Sequence, residues 1–282
     1  MAAAEAGAYE TAAKLIDAGA DISARDKKGN DALRCGVYGG NMHIIKLLLE
    51  KGADVNSKNN SESTPLMLAI YRGDTAIIKF LIEKGAEIKL KNESLNDAFM
   101  CAADRAKPLP EIFEILIEKG AGINTRDSEN ATPLMVVMSK ADAGIVKYLI
   151  EKGADVKAKD DKGNTALNYA IDAEPLKKHG ENVNGGGKDR EKKAFEIFEK
   201  NKFEIVKFLV EKGAEINSIN LRGESPIFTA VDKGNIEIIN FLIEKGADVN
   251  IRDKNGRSLL SVALDRGNQK VIKLLERAGA KQ

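Results

Sequence analysis

Apolar residues return along this chain in short clusters at helical spacing, and each cluster ends in the same polar stop. The segment Leu-Ile-Glu-Lys-Gly-Ala-Asp-Val-Asn, with small variations, recurs with its glycine at Gly19, Gly52, Gly85, Gly120, Gly153, Gly213, Gly246 and Gly279. The intervals are 33, 33, 35, 33, 60, 33 and 33 residues. A fixed period of this length marks an array of small supersecondary units. Four residues before each glycine stands a leucine, from Leu15 and Leu48 to Leu275, and an aliphatic follows it in every copy but the last, where Glu276 stands. Two apolar-periodic segments per period, such as Pro65–Arg72 and Ala76–Lys84, predict an antiparallel helix pair joined by Gly-Asp or Gly-Asn. The repeated glycine reads as the helix stop, where left-handed backbone is least costly without a Cβ. The first helix of each full unit opens at Asp31, Thr64, Asp97, Thr132, Thr165, Ser225 or Ser258, all residues whose side-chain oxygen can cap first-turn amides. Pro65, Pro133 and Pro226 follow directly, where a missing N–H costs nothing. A unit this small cannot bury a core alone, so neighbours must stack.

Thr64-Pro65-Leu66, Thr132-Pro133-Leu134, Thr165-Ala166-Leu167 and the repeated Lys-Gly-Ala-Asp-Val-Asn resemble the ankyrin repeat. Full repeats begin near residues 26, 59, 92, 127, 160, 220 and 253, after a partial one over 1–25, and together they read as one domain over 1–282. The resemblance implies a mainly α fold, a solenoid of stacked helix pairs carrying β-hairpin fingers, about 70–80 Å long if eight units stack at about 10 Å each. It also implies binding of another protein through the fingers and the concave first helices. Gly7 aligns with Gly40, so the chain opens inside a first helix, and a leader or further domain upstream is expected. Gln269, Lys270, Lys273 and Glu276 give the last helix the polar outer face of a cap.

The departures from the family pattern locate the candidate site. Where the family carries histidine after Thr-Pro-Leu, this chain has Arg34, Met67, Met100, Met135, Asn168, Phe228 and Ser261, read as packing residues. Gly29, Gly163, Gly223 and Gly256 keep the Asp-x-x-Gly finger turn, but Glu62, Leu95 and Asn130 replace it in three consecutive copies. A left-handed residue other than Gly or Asn costs about 1–2 kcal/mol, so those turns are expected to be either strained or built differently. Tip charge changes with them, from Lys27, Lys28, Lys162, Arg222 and Lys254 to Glu62, Glu93 and Glu129, by drift on a solvated loop or under the demands of a partner. The residues before the inter-helix bend give Tyr38, Tyr71 with Arg72, Asp104 with Arg105, Ser139 with Lys140, Asp232 with Lys233, and Asp265 with Arg266. The resemblance aims these at the concave surface. The expected partner-binding residues are therefore Tyr38, Tyr71, Arg72, Asp104, Arg105 and Lys140, with Glu62, Leu95 and Glu129 on the fingers.

An insertion at about 173–200 splits the fifth full repeat. Its first half, Glu174–Lys188, is rich in helix breakers and predicts a dispensable loop. From Asp189 to Lys200 the pattern predicts extra turns on the second helix, with Phe195 and Phe198 packed on the repeats. Gly185-Gly186-Gly187-Lys188 is no phosphate loop, because Asn182 and Asp189 stand where glycine and Ser or Thr belong.

Other chemistry is thinly supplied. Forty-four Lys and Arg against 43 Asp and Glu leave a charge of +1, which argues against nucleic acid or an anionic membrane as partner. A basic residue precedes the finger turn at Arg25, Lys58, Lys91, Arg126, Lys159 and Arg252, but most sit beside an Asp, so a phosphate-tracking ladder is discounted. No apolar run nears the roughly 18 residues of a membrane span. Cys35, Cys101, His43 and His179 form no cluster of ligands. Two repeats apart, the cysteines lie about 20 Å from each other, too far for a disulfide. The expectation is a monomeric, non-enzymatic interaction scaffold without cofactor or metal, or else the regulatory or substrate-recruiting arm of a larger protein. Its compartment is not legible.

Overall fold

The computed structural model describes residues 1–175 and 187–282, with side chains from residue 192 onward in the second stretch. Its contacts gather into two compact units, Met1–Ser128 and Glu129–Gln282. The first holds α1 (Ala2–Glu5), α2 (Tyr9–Asp17), α3 (Ala32–Gly39), α4 (Met42–Glu50), α5 (Pro65–Arg72), α6 (Thr75–Glu83), α7 (Ala98–Asp104) and α8 (Pro110–Glu118). Within it α1 packs on α3, α3 on α5 and α5 on α7, while α2 lies on α4 and α6 on α8. The second holds α9 (Pro133–Met138), α10 (Ala143–Glu151), α11 (Ala166–Asp172), α12 (Gly187–Glu211), α13 (Pro226–Lys233), α14 (Ile236–Glu244), α15 (Leu259–Asp265) and α16 (Gln269–Arg277). Its first helices α9, α11, α13 and α15 pack in succession, as do α10, α12, α14 and α16. Each unit is mainly helical and repeats at the period of the sequence.

The helix starts follow from the caps. Asp31, Thr64, Asp97, Thr132 and Ser258 each accept from the backbone N–H three residues on, whereas Thr165 donates its hydroxyl to Asn168 Oδ1 at 2.9 Å. Asn41, Asp74, Asp142, Asn235 and Asn268 cap the second helices in the same way. At the other end, Gly52 has φ +91° with nothing within 4 Å of a would-be Cβ, so backbone conformation alone requires it. The bends between helices use glycine at φ +82° in Gly73, but Ala141 takes the same place at φ +47° although it carries a Cβ.

The leucine column is the core. Leu81, Leu116, Leu149, Leu209, Leu242 and Leu275 are fully buried, each contributing about 1.5–3 kcal/mol. Leu15 is the exception at 51% exposed. On α16, Gln269, Lys270, Lys273 and Glu276 are exposed, opposite buried Val271, Ile272 and Leu275.

The insertion behaves partly as expected. Residues 176–186 of the predicted loop, His179 included, lie outside the described residues. Beyond them α12 runs unbroken for 25 residues against nine in α14. The packing expected of Phe195 is corrected. It is 51% exposed, as Ile197 is at 53%, because those turns rise past the level where neighbouring helices lie against α12; Phe198 is half-buried. Lys202 anchors the helix lower down, donating to the Ala173 carbonyl at 3.0 Å. Burial pulls its pKa below the ordinary lysine value, with Glu199 opposing the shift.

Candidate functional site

The fingers share one backbone. In six of them the residue five before the helix cap opens a turn closed by N–H donation from the fourth residue to the first carbonyl: Gly29 to Asp26, Glu62 to Asn59, Leu95 to Asn92, Gly163 to Asp160, Gly223 to Asn220 and Gly256 to Asp253, all at 2.9–3.0 Å. Glycine takes φ between +76° and +78° there, and Glu62, Leu95 and Asn130 take +58°, +57° and +62°. Of the two forms open to the glycine-less turns, the strained left-handed one is present. A second backbone bond closes the finger base, as in Asp26 N–H to the Asn30 carbonyl at 2.9 Å. Among the described residues no strand forms, and a single isolated antiparallel bridge joins Arg252 and Ser258.

Consecutive fingers are stitched by one backbone bond. In the first unit Asn60, Glu93 and Ser128 donate back to the carbonyls of Lys28, Ser61 and Ser94, and in the second Asp161, Leu221 and Lys254 donate to Glu129, Lys162 and Arg222. Where the accepting finger ends in glycine the bonds measure 3.0, 2.8 and 2.9 Å, and where it ends in Glu62, Leu95 or Asn130 they measure 3.3, 3.1 and 3.1 Å. A Cβ on Gly223 would stand 2.7 Å from Lys254 N, so close stitching and a side chain compete for the same space.

Three of the basic residues before the finger turns belong to this stitching. Arg25 donates to the carbonyl of Lys58, Lys91 to that of Arg126 at 2.7 Å and Lys159 to that of Ile219 at 3.3 Å, each one repeat ahead. Arg252 donates to the Gly256 carbonyl at 2.8 Å. Lys58 instead pairs with Glu62 at 2.6 Å.

The expected site residues fall into three groups. Tyr38 and Tyr71 end α3 and α5, on adjacent repeats of the first unit, and are 54% and 68% exposed. Arg72 is exposed beside them, its guanidinium 5.3 Å from the centre of the Tyr38 ring, a cation–π contact. Arg105 is the second kind: its guanidinium donates to the carbonyls of Ile70 and Tyr71, capping the C-terminus of α5, and to Lys107 O at 3.3 Å. Two of its three guanidinium nitrogens, Nε and one Nη, are thus engaged inside the fold. Asp104 is exposed and Lys140 half-buried at the corresponding bends. The finger residues make the third group. Glu62 pairs with Lys58, Glu129 pairs with Lys162 at 2.9 Å, and Leu95 is 48% exposed.

The methionine column is interior. Met67, Met100 and Met135 are at most 4% exposed, and the sulfurs of Met67 and Met135 accept from the N–H of Thr64 and Thr132 at 3.4 Å. So these methionines keep a hydrogen bond at the helix start as well as packing. Both cysteines are free thiols, and burial pushes Cys101 up to about 12. Among the described residues no group of three His, Cys, Asp or Glu side chains is placed to hold a metal, and no helix is long and apolar enough to cross a membrane.

Sequence reasoning missed the link between bends. Arg266 bonds Asp232 at 2.7 Å, and Lys233 bonds Asp172 at 2.9 Å and Glu174 at 2.7 Å. The signal was present as a basic residue 34 positions after an acidic one, as in Asp232 and Arg266.

A family model described as ankyrin repeats (3 copies) matches residues 1–92, 99–183 and 195–282. A search of curated proteins finds no match to the chain.

Proposed function

The chain belongs to the ankyrin repeat family, whose repeats are protein-interaction modules, and on that premise we propose that it is a non-enzymatic scaffold binding another protein. The binding face in this reading is the concave side of the first unit, centred on Tyr38, Tyr71 and Arg72. The fingers are read as the family's hairpins, with Leu95 and Glu62 at the edge of that face. One observation carries the proposal: two tyrosines on adjacent repeats are each more than half exposed, a level that only Phe195 shares among the other described aromatics. Tyr and Arg supply large contact area with directional donors at little entropic cost, which is why they dominate interface energies. Glu129 and Lys140, in the second unit, stand as separate contacts of lesser weight.

The test uses a partner recovered by affinity capture with the full chain. Tyr38→Ala with Tyr71→Ala should weaken that complex by about 2 kcal/mol or more while the thermal midpoint holds, because both rings are exposed. Arg105→Ala is a poor probe, since it opens the end of α5. Unchanged affinity in the double tyrosine variant would remove this face from consideration.

A further inference from the structure

Equivalent bends in the two units treat charge differently. In the second unit two basic bend residues meet a carboxylate from the preceding repeat: Arg266 meets Asp232 at 2.7 Å, and Lys233 meets Asp172 at 2.9 Å. In the first unit the residues standing in the place of those aspartates are Tyr38 and Tyr71. Arg72 therefore lies over an aromatic ring, and Arg105 over two backbone carbonyls. Among the described residues neither guanidinium has a carboxylate partner. One turn back on the same helix faces, Cys35 and Leu68 are half-buried, so each tyrosine borders an apolar surface. Within the unit the carboxylates of this column are Glu5, a repeat before Tyr38, and Asp104, a repeat beyond Tyr71.

From this juxtaposition of exposed tyrosines, half-buried apolar side chains and an uncompensated guanidinium, we propose that the Tyr38–Tyr71–Arg72 strip receives an extended acidic peptide segment of a partner protein. An Asp or Glu carboxylate takes up the Nη donors of Arg72, in the role that Asp232 plays for Arg266. A neighbouring apolar side chain of the segment lies between the tyrosine rings over Cys35 and Leu68. This rests on the reading of the first unit as the binding face and adds the chemistry of the ligand. Charge complementarity of this kind acts chiefly through specificity and association rate, and it weakens as salt screens it.

The probe is a library of random twelve-residue peptides displayed on phage and selected against the full chain. Selected peptides should be enriched in Asp and Glu, and as synthetic peptides they should bind about tenfold more weakly in high salt than in low salt. Arg72→Gln should weaken them at least tenfold, with Arg72→Lys intermediate. Tyr38→Asp is the sharper variant. It restores the aspartate of the other unit's pattern, so it should neutralise Arg72 internally, abolish acidic-peptide binding, and leave the thermal midpoint unchanged or raised. Neutral or basic peptides that still lose binding on Tyr71→Ala would overturn the acidic ligand and leave the binding face standing. Peptides indifferent to Tyr71→Ala would overturn the face and the ligand together. Failure to enrich any peptide would overturn the ligand, while the captured partner still reports on the face.

Discussion

The finger that ends in Gly223 and the finger that ends in Leu95 trace the same turn, with φ of +78° and +57°, yet they are stitched to their neighbours differently. The glycine finger accepts its neighbour's N–H at 2.9 Å, and the leucine finger at 3.1 Å. Glycine at this turn thus meets two separate demands. One is left-handed backbone, which a side chain can adopt at a cost of about 1–2 kcal/mol. The other is room for the next finger, which a side chain obtains only by standing the neighbour off. Fingers over 59–63 and 92–96 accept both costs, the one over 127–131 chiefly the second because Asn130 tolerates left-handed backbone, and those over 26–30, 160–164 and 220–224 avoid them.

The largest expected effect concerns what the two kinds of repeat share. Leu81→Ala, beneath the Glu62 finger, and Leu242→Ala, beneath the Gly223 finger, each empty a fully buried site and should cost about 2–5 kcal/mol in urea unfolding. Costs that differ by more than about 2 kcal/mol would show that the repeats differ in more than their fingers. Next comes Gly223→Leu, which imposes on the tight finger the side chain the loose one carries. Left-handed strain and the clash with the Lys254 backbone together predict a loss of about 2–4 kcal/mol, and a neutral result would break the comparison.

The reverse change, Leu95→Gly, should stabilise by about 0.5–1 kcal/mol, because relieved strain exceeds the entropy glycine adds to the unfolded chain. Glu62→Gly should gain less, since it also removes the surface pair with Lys58, of the kind worth about 0.2–1 kcal/mol. The smallest effect is alkaline. Cys101 is pushed up from 9.0 to about 12 in the folded chain, so the unfolded thiol ionises first and stability falls as pH rises through that window. At pH 9 the loss is about 0.4 kcal/mol, the value for half-ionisation of the unfolded thiol, and Cys101→Ala should abolish it. Alkylation at pH 8 should accordingly modify Cys35, whose thiol is less buried, before Cys101.

Much of the fold could be read from the chain because its signals are local. The caps at Asp31, Thr64, Asp97 and Thr132 and the stop glycines act within one turn, so spacing alone locates them. What escaped depends on neighbours a repeat away. The basic residues at Arg25 and Lys91 were discounted as an electrostatic ladder, but their carbonyl partners, 33 and 35 residues on, could not be read from the sequence. Arg105 has the composition of a binding residue and is occupied with the end of α5. Periodicity identified the apolar side of Phe195 but could not say whether anything lies against it. Ala141 escaped because alanine is no turn signal, although it sits at φ +47°. The exposed tyrosines were legible, whereas the missing aspartates beside them gained meaning only from the pairs in the other unit.

The stitching also says how such a chain can lengthen. Joints between fingers share an amide donated backward, as from Leu221 to Lys162, to which Arg25, Lys91 and Lys159 add a cationic side chain donated forward. Every full repeat carries a backbone donor and a backbone acceptor for the joint. A duplication or excision of one whole period, in register, therefore delivers a matching donor and acceptor at the seam without any second change. Growth by copying is neutral at the backbone, and novelty accumulates afterwards in the few side chains, such as Tyr38 and Tyr71, that the joints leave unused.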